Sequence, residues 1–160
     1  MKSPKVAILM GSRSDSDIMA PAAKTLDEFA VTHEVRILSA HRTPEETAAY
    51  VEAAEARGIE VIIAGAGFAA HLAGAVAAHT TLPVIGVPLD SSPLKGIDAL
   101  YSTVQMPGGI PVATMTIGTP GAKNAALFAI QILSRKEPEL VERLKKYRSE
   151  MKEAILSIEL

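Results

Sequence analysis

Short apolar runs alternate along the chain with longer stretches in which apolar residues return every three or four positions. The runs are Val6–Met10, Glu34–Ser39, Glu60–Ala64, Pro83–Val87 and Val112–Ile117. They are rich in Val and Ile and most lack polar alternation, the pattern of strands buried on both faces of a parallel sheet. After the first run, Ile18, Ala22, Leu26 and Phe29 share one helical face. Pro21 fits that helix only if it starts late, near Asp17, because proline has no N–H to give to an interior turn. The next helix carries its own punctuation: Thr43 at the N-cap, Pro44 at the first position, Glu46 completing a capping box and Gly58 as the stop. From Ala69 to His79 the chain is Ala-rich with no Asp, Glu, Lys or Arg, as expected of a helix buried on most sides. Asp90–Gly109 reads as a long loop with one short helix near Gly96–Val104, and Ala122–Ser134 as a helix after the fifth strand.

This alternation implies right-handed crossovers and one doubly wound sheet with helices on both faces. No repeat, linker or composition shift divides residues 1–160, so a single domain is expected. Residues 137–160 form a further helix. In it Leu140, Leu144, Tyr147, Met151, Ile155 and Ile158 make an apolar stripe opposite a Lys/Arg/Glu-rich face. The sheet is already flanked, so the stripe either packs on its own domain or covers a neighbouring subunit, and the pattern alone leaves both open.

Bulk properties remove several function classes. The net charge is -2, aromatic residues are 4% of the chain and Trp is absent. A nucleic-acid surface wants clustered cations for phosphates and aromatics for stacked bases, so no nucleic-acid partner is expected. The absence of Cys excludes disulfides, thiolate nucleophiles and Cys-based zinc sites. The first apolar run is too short for a signal peptide, and nothing approaches the ~18 apolar residues of a membrane span. A cytoplasmic protein without membrane contact is the expectation.

In doubly wound sheets, ligands bind beyond the carboxyl ends of the strands where strand order reverses, which in a flavodoxin-like order lies between the first and third strands. The loops after the first three runs read Gly11-Ser-Arg-Ser-Asp15, Ser39-Ala-His-Arg-Thr-Pro44 and Gly65-Ala-Gly-Phe-Ala-Ala-His71. The first opens a helix, where backbone N–H groups favour an anion and Ser12 can donate to phosphate. Asp15 would repel phosphate and suits sugar hydroxyls; simple helix capping by Ser14 or Asp15 is the commoner role. In the second loop Arg42 can fork onto a phosphate or carboxylate, and the His41 imidazole gives and takes a proton near neutral pH. The third matches a relaxed dinucleotide fingerprint over Gly65–Ala70, with Asp90 near the spacing expected for a ribose ligand. Against that reading, the motif follows the third strand, and Phe68 would crowd a pyrophosphate. His71 lies in the next helix, facing pocket or core, while His33 and His79 read as structural. Gln105–Pro111 is a lid or interface loop. No Ser-His-Asp, H-E-x-x-H or P-loop pattern occurs, so neither ATP chemistry nor a metal is expected.

These loops, Met10–Asp15, Ser39–Pro44 and Gly65–Gly74, resemble the PurE family of N5-carboxyaminoimidazole ribonucleotide mutases. The resemblance extends through Pro83–Pro88, Val104–Pro111 and Gly121–Leu127, and runs from about Val6 to Leu133. It implies a flavodoxin-like three-layer αβα sandwich with a central parallel five-stranded sheet, an extra C-terminal helix and a homo-octamer. It also implies transfer of a carboxylate from the exocyclic nitrogen to ring carbon C4 of an imidazole ribonucleotide in purine biosynthesis, without a cofactor. By position, His41 would be the general acid/base. Ser12, Asp15 and Arg42 would bind the ribonucleotide, while Ser14, Ser39, Ala40, Gly65, Ala66, His71 and Leu72 would complete the pocket. The chain departs from the family's usual Gly at Phe68 and usual Pro at Ala73. Two alternatives stand beside the mutase: a carboxylase acting directly on aminoimidazole ribonucleotide with CO2, and a non-enzymatic nucleotide-binding module.

Overall fold

The computed structural model describes residues 3–158. Five parallel strands, β1 (Val6–Met10), β2 (His33–Ile37), β3 (Val61–Ala66), β4 (Val84–Pro88) and β5 (Ala113–Thr114), form one sheet in the order β2-β1-β3-β4-β5. The order reverses between β1 and β3, as a flavodoxin-like fold requires. Six helices connect and follow the strands: α1 (Ser16–Glu28), α2 (Pro44–Glu52), α3 (Leu72–Ala78), α4 (Ile97–Val104), α5 (Thr119–Leu133) and α6 (Pro138–Leu156).

Successive strand residues face opposite sides, so each strand feeds two cores. Val6, Ile8 and Met10 of β1 join Met19, Leu26, Ala126 and Ile130 beneath α1 and α5. Ala7 and Leu9 join Val51, Leu72 and Val76 beneath α2 and α3. All of β1 is buried. That explains its unbroken apolar run.

Several expectations need correction. Strand β2 is an edge strand with polar alternation: Glu34 and Arg36 face one side, and on the other Val35 and Ile37 stay 40% and 52% exposed. Strand β5 is two residues long, where six were expected. Pro88 has no N–H for its next rung, and its carbonyl accepts instead from Gly118 N–H at 2.8 Å. Helix α1 starts at Ser16 and keeps Pro21 inside, forgoing one bond to the Asp17 carbonyl. Thr43 occupies the N-cap of α2 but makes no side-chain cap bond, so no capping box forms with Glu46. Helix α2 stops at Glu52, and a short 3-10 turn carries the chain to Gly58, which ends it in the left-handed conformation. Helix α3 starts three residues later than expected, and α5 three residues earlier, with Pro120 in its first turn.

The tail divides. Leu140 is buried, and Leu144 and Tyr147 pack on the domain's own core, where Tyr147 meets Phe29 edge-on at 5.6 Å. Further along α6, Met151 and Ile155 are exposed, as is Ile158 just past its end.

The β2 edge is fastened to α2 by a polar cluster. Tyr50 donates to Glu34 Oε1 at 2.7 Å, Arg57 donates to the same oxygen at 3.0 Å, and the Arg57 guanidinium lies 4.3 Å from the Tyr50 ring centre. Burial, with the Glu34 carboxylate, pushes the Tyr50 phenol up from its ordinary 10.0. A raised phenol pKa in the folded state keeps its stabilisation below pH ~10 and loses it above. Tyr50→Phe is expected to cost about 1 kcal/mol at neutral pH. It should also remove part of the stability loss that wild type suffers above pH 10, read from denaturant titrations at pH 7 and pH 10.5. Equal midpoints at both pH values for the two proteins would refute the bond's contribution.

Candidate active site

The carboxyl ends of β1, β2 and β3 open into a cavity of about 540 Å³, within the range typical of small-molecule sites. The loop after β1 contributes Gly11, Ser12, Ser14 and Asp15 to its lining, and the loop after β2 contributes Ser39, Ala40, His41 and Arg42. From beyond β3 come Ala66, Gly67, Phe68, Ala69, His71 and Leu72, and from beyond β4 comes Ser91. The structure therefore gathers nearly every residue singled out in sequence. Of the residues that the family resemblance assigns to the pocket, Gly65 alone is missing from the lining: it lies one position deeper in β3, where a Cβ would overlap Met19.

The loop after β2 is held by bonds between its own side chains and backbone. Ser39 N–H donates to Thr43 Oγ1 at 2.9 Å, and the Thr43 hydroxyl donates to the Ser39 carbonyl at 3.1 Å. Thr43 therefore closes the loop that carries His41, which is why it does not cap the helix. Ser39 Oγ accepts from Arg42 N–H at 3.2 Å. Arg42 then reaches across and donates through Nη2 to the Gly11 carbonyl at 2.6 Å, tying the second loop to the first.

Within the first loop, Ser12 takes the capping role. Its hydroxyl accepts from Ser14 N–H at 3.4 Å and from the Ser14 hydroxyl at 3.0 Å. Asp15 occupies the N-cap of α1 without a side-chain cap bond, and the residue is 6% exposed. Burial raises its carboxyl pKa, while the Ser12 backbone, the Arg42 charge and Ser14 pull the other way. A buried carboxylate that caps nothing, beside a guanidinium in a cavity, is a poor structural device and a good ligand for hydroxyl groups.

His71 is not one turn into a helix. It precedes α3 at the N-cap position, and its ring meets His41 in the cavity. His41 Nε2 and His71 Nδ1 lie 2.6 Å apart, with the rings nearly perpendicular at 86°. The two nitrogens lie within hydrogen-bond distance, and which ring donates depends on their tautomers. The pair can therefore release a proton to a ligand and take one back. His33 and His79 lie elsewhere, on the Val31 carbonyl at 3.2 Å and on Glu52 at 3.2 Å.

Ser91 escaped the sequence reading because it follows β4, one strand beyond the reversal point. Its only signal is tight packing: a Cβ on Gly67 would overlap the Ser91 hydroxyl. Asp90, the candidate ribose ligand of the dinucleotide reading, lies against Gly118 and does not line the cavity. The Gly65–Ala70 segment also ends before α3 begins, so it presents no helix N-terminus to a pyrophosphate. The dinucleotide fingerprint is accidental. Among the described residues no helix is long and apolar enough to cross a membrane.

Known proteins are similar to this chain over nearly its whole length. A protein from Pyrococcus abyssi, named N5-carboxyaminoimidazole ribonucleotide mutase, is 61% identical over 93% of this chain and 84% of its own length. The Saccharolobus solfataricus protein of the same name is 55% identical over 98% of both chains, and that of Bacillus subtilis is 54% identical over 96% and 94%. The crystal structure of Treponema denticola PurE superposes with a TM-score of 0.86 at 33% identity, covering 96% of this chain and 94% of that one. The model of the AIR carboxylase family matches residues 5–154. With residues 5–154 matched by the family model and a relative 61% identical over 93% of its length, the chain belongs to the AIR carboxylase family.

Proposed function

We propose that the protein is an N5-carboxyaminoimidazole ribonucleotide mutase, an isomerase of purine biosynthesis, the activity named for its relatives at 52–61% identity. The observation that carries the chemistry is the His41–His71 contact of 2.6 Å inside a cavity that also holds Arg42 and Asp15. Arg42, with Ser12 and Ser14, faces the 5′-phosphate, and Asp15 accepts from ribose hydroxyls. Ser39, Ala40, Ala66 and Leu72 fill the space around the base.

His41 then acts twice. As the acid it delivers a proton to the exocyclic nitrogen, and the N–C bond breaks to give the amine and CO2. Carbon C4 of the electron-rich imidazole attacks the CO2, forming the C–C bond. His41, now neutral, removes the C4 proton and restores the aromatic ring, with His71 sharing the proton across their contact. The steps balance without ATP, metal or redox partner, and each proton transfer is worth roughly 10²–10⁴-fold.

The same reading places the protein in the cytoplasm as a homo-octamer. The exposed apolar residues at the end of the tail, Met151, Ile155 and Ile158, suit a neighbouring subunit, and residues 1–160 act as one catalytic unit. The deciding experiment supplies purified protein with N5-carboxyaminoimidazole ribonucleotide, without ATP or bicarbonate, and follows product by chromatography. Conversion is expected. Product only from aminoimidazole ribonucleotide plus bicarbonate would assign the direct carboxylase instead.

A further inference from the structure

One aromatic side chain at the cavity is left without a role by this chemistry. Phe68 lies between β3 and α3 with φ +53°, in the left-handed region. That conformation is free for glycine and costly for a bulky L-residue. The ring gains little from packing in return, since Phe68 remains 57% exposed. Its backbone is nevertheless fixed from both sides. Gly67 presses on Ser91, and Ala70 and Leu72 are each 2% exposed. Among the cavity-lining residues Phe68 is the one Phe, Tyr or Trp, in a chain holding only three Phe, three Tyr and no Trp. A strained conformation held in place by its surroundings beside titratable groups marks a functional device.

We propose that Phe68 is a positioning residue for the substrate. Its ring covers the mouth of the cavity, stacks on the planar imidazole of the ribonucleotide and keeps water out of the space facing His41 and His71. The proposal rests on the mutase reading above. The physical demand is clear: CO2 is small and neutral, so no charged group can hold it between the two bond changes, and only a closed space can. The electron-rich imidazole offers a π face, which an aromatic ring at the mouth can cover.

The test compares Phe68→Gly, Phe68→Leu and Phe68→Tyr with wild type. It measures KM and kcat, direct binding of aminoimidazole ribonucleotide by calorimetry, and the fraction of turnovers ending as free aminoimidazole ribonucleotide and CO2. Melting temperature and light-scattering mass are recorded alongside. Phe68→Gly is expected to raise KM about tenfold, the loss of one stacking contact. It should also increase the leaked fraction, while its melting temperature stays level or rises because glycine is unstrained at this φ. Phe68→Tyr should restore wild-type values and Phe68→Leu should not. Wild-type KM and leakage in Phe68→Gly, or full restoration by Phe68→Leu, would overturn the proposal. So would a change confined to assembly mass. Wild type that binds and isomerises while Phe68→Gly matches it refutes the role of Phe68 alone. Wild type that does neither refutes the mutase reading, and the role of Phe68 with it.

Discussion

His41→Asn is expected to lower kcat by roughly 10²–10⁴-fold, the usual worth of a positioned general acid/base, with ribonucleotide affinity within a few-fold of wild type. The Asn amide takes the place of the near side of the imidazole and stops short of the nitrogen that lies 2.6 Å from His71 Nδ1, so that contact is lost with the ring. The loop should survive the change, because Thr43 and Ser39 hold it through bonds in which His41 takes no part. What Asn cannot do is carry a proton, so both the release of CO2 and the removal of the C4 proton lose their partner. Arg42 and Asp15, the proposed phosphate and ribose ligands, are left in place. Steady-state kinetics with calorimetric binding separates the two effects. A variant that keeps kcat within threefold of wild type would move the acid/base role to the other ring of the pair.

Asp15→Asn should pull stability and function in opposite directions. Burial raises the Asp15 pKa above its ordinary 3.8, so the folded protein holds that proton more tightly than the unfolded chain. The associated stabilisation is complete below pH 3.8 and is lost as pH rises through the raised value. At neutral pH the carboxylate is thus a net cost to folding, and the neutral amide removes it. The variant should melt higher than wild type at pH 7, with the gap closing as pH falls toward 3.8. Binding should suffer, because a hydrogen bond to a charged group contributes about 1.5–3 kcal/mol, or roughly 10–100-fold in affinity. Melting curves across that pH range, set beside calorimetric binding, read both. A lower melting point at pH 7 with unchanged binding would make Asp15 a structural residue.

The parts of the molecule that could be read from sequence are those where one residue has one local job. Strand β1 is buried on both faces, so its five residues are all apolar and its limits coincide with the expected ones. The three loops stood out because polar side chains gathered after apolar runs. What misled were residues whose partners are distant in sequence. Thr43 and Glu46 spell a capping box, yet Thr43 bonds back to Ser39 to close the loop that carries His41. The β5 run looks like a full strand, but Pro88 on the neighbouring strand withholds a donor. Ala-rich sequence continues without a break from Ala69 and predicts His71 inside a helix. The left-handed turn at Phe68 delays that helix and leaves His71 at its N-cap position in the cavity. No local pattern announces a contact between residues 41 and 71, which exists only because β1 lies between β2 and β3.

The contact between those two rings bears on how open the site must be during a turnover. On the mechanism proposed above, the proton given to nitrogen in the first half of the reaction is matched by the one recovered from carbon in the second. On that mechanism the two imidazoles, 2.6 Å apart at His41 Nε2 and His71 Nδ1, end each cycle as they began it. An enzyme that ends a cycle in the wrong protonation state must exchange with bulk water before it can work again. The proposed cycle has no such need. The chamber has to open only for the ribonucleotide to enter and leave, and the hydrogen that leaves C4 is free to be the one that meets the next substrate's nitrogen.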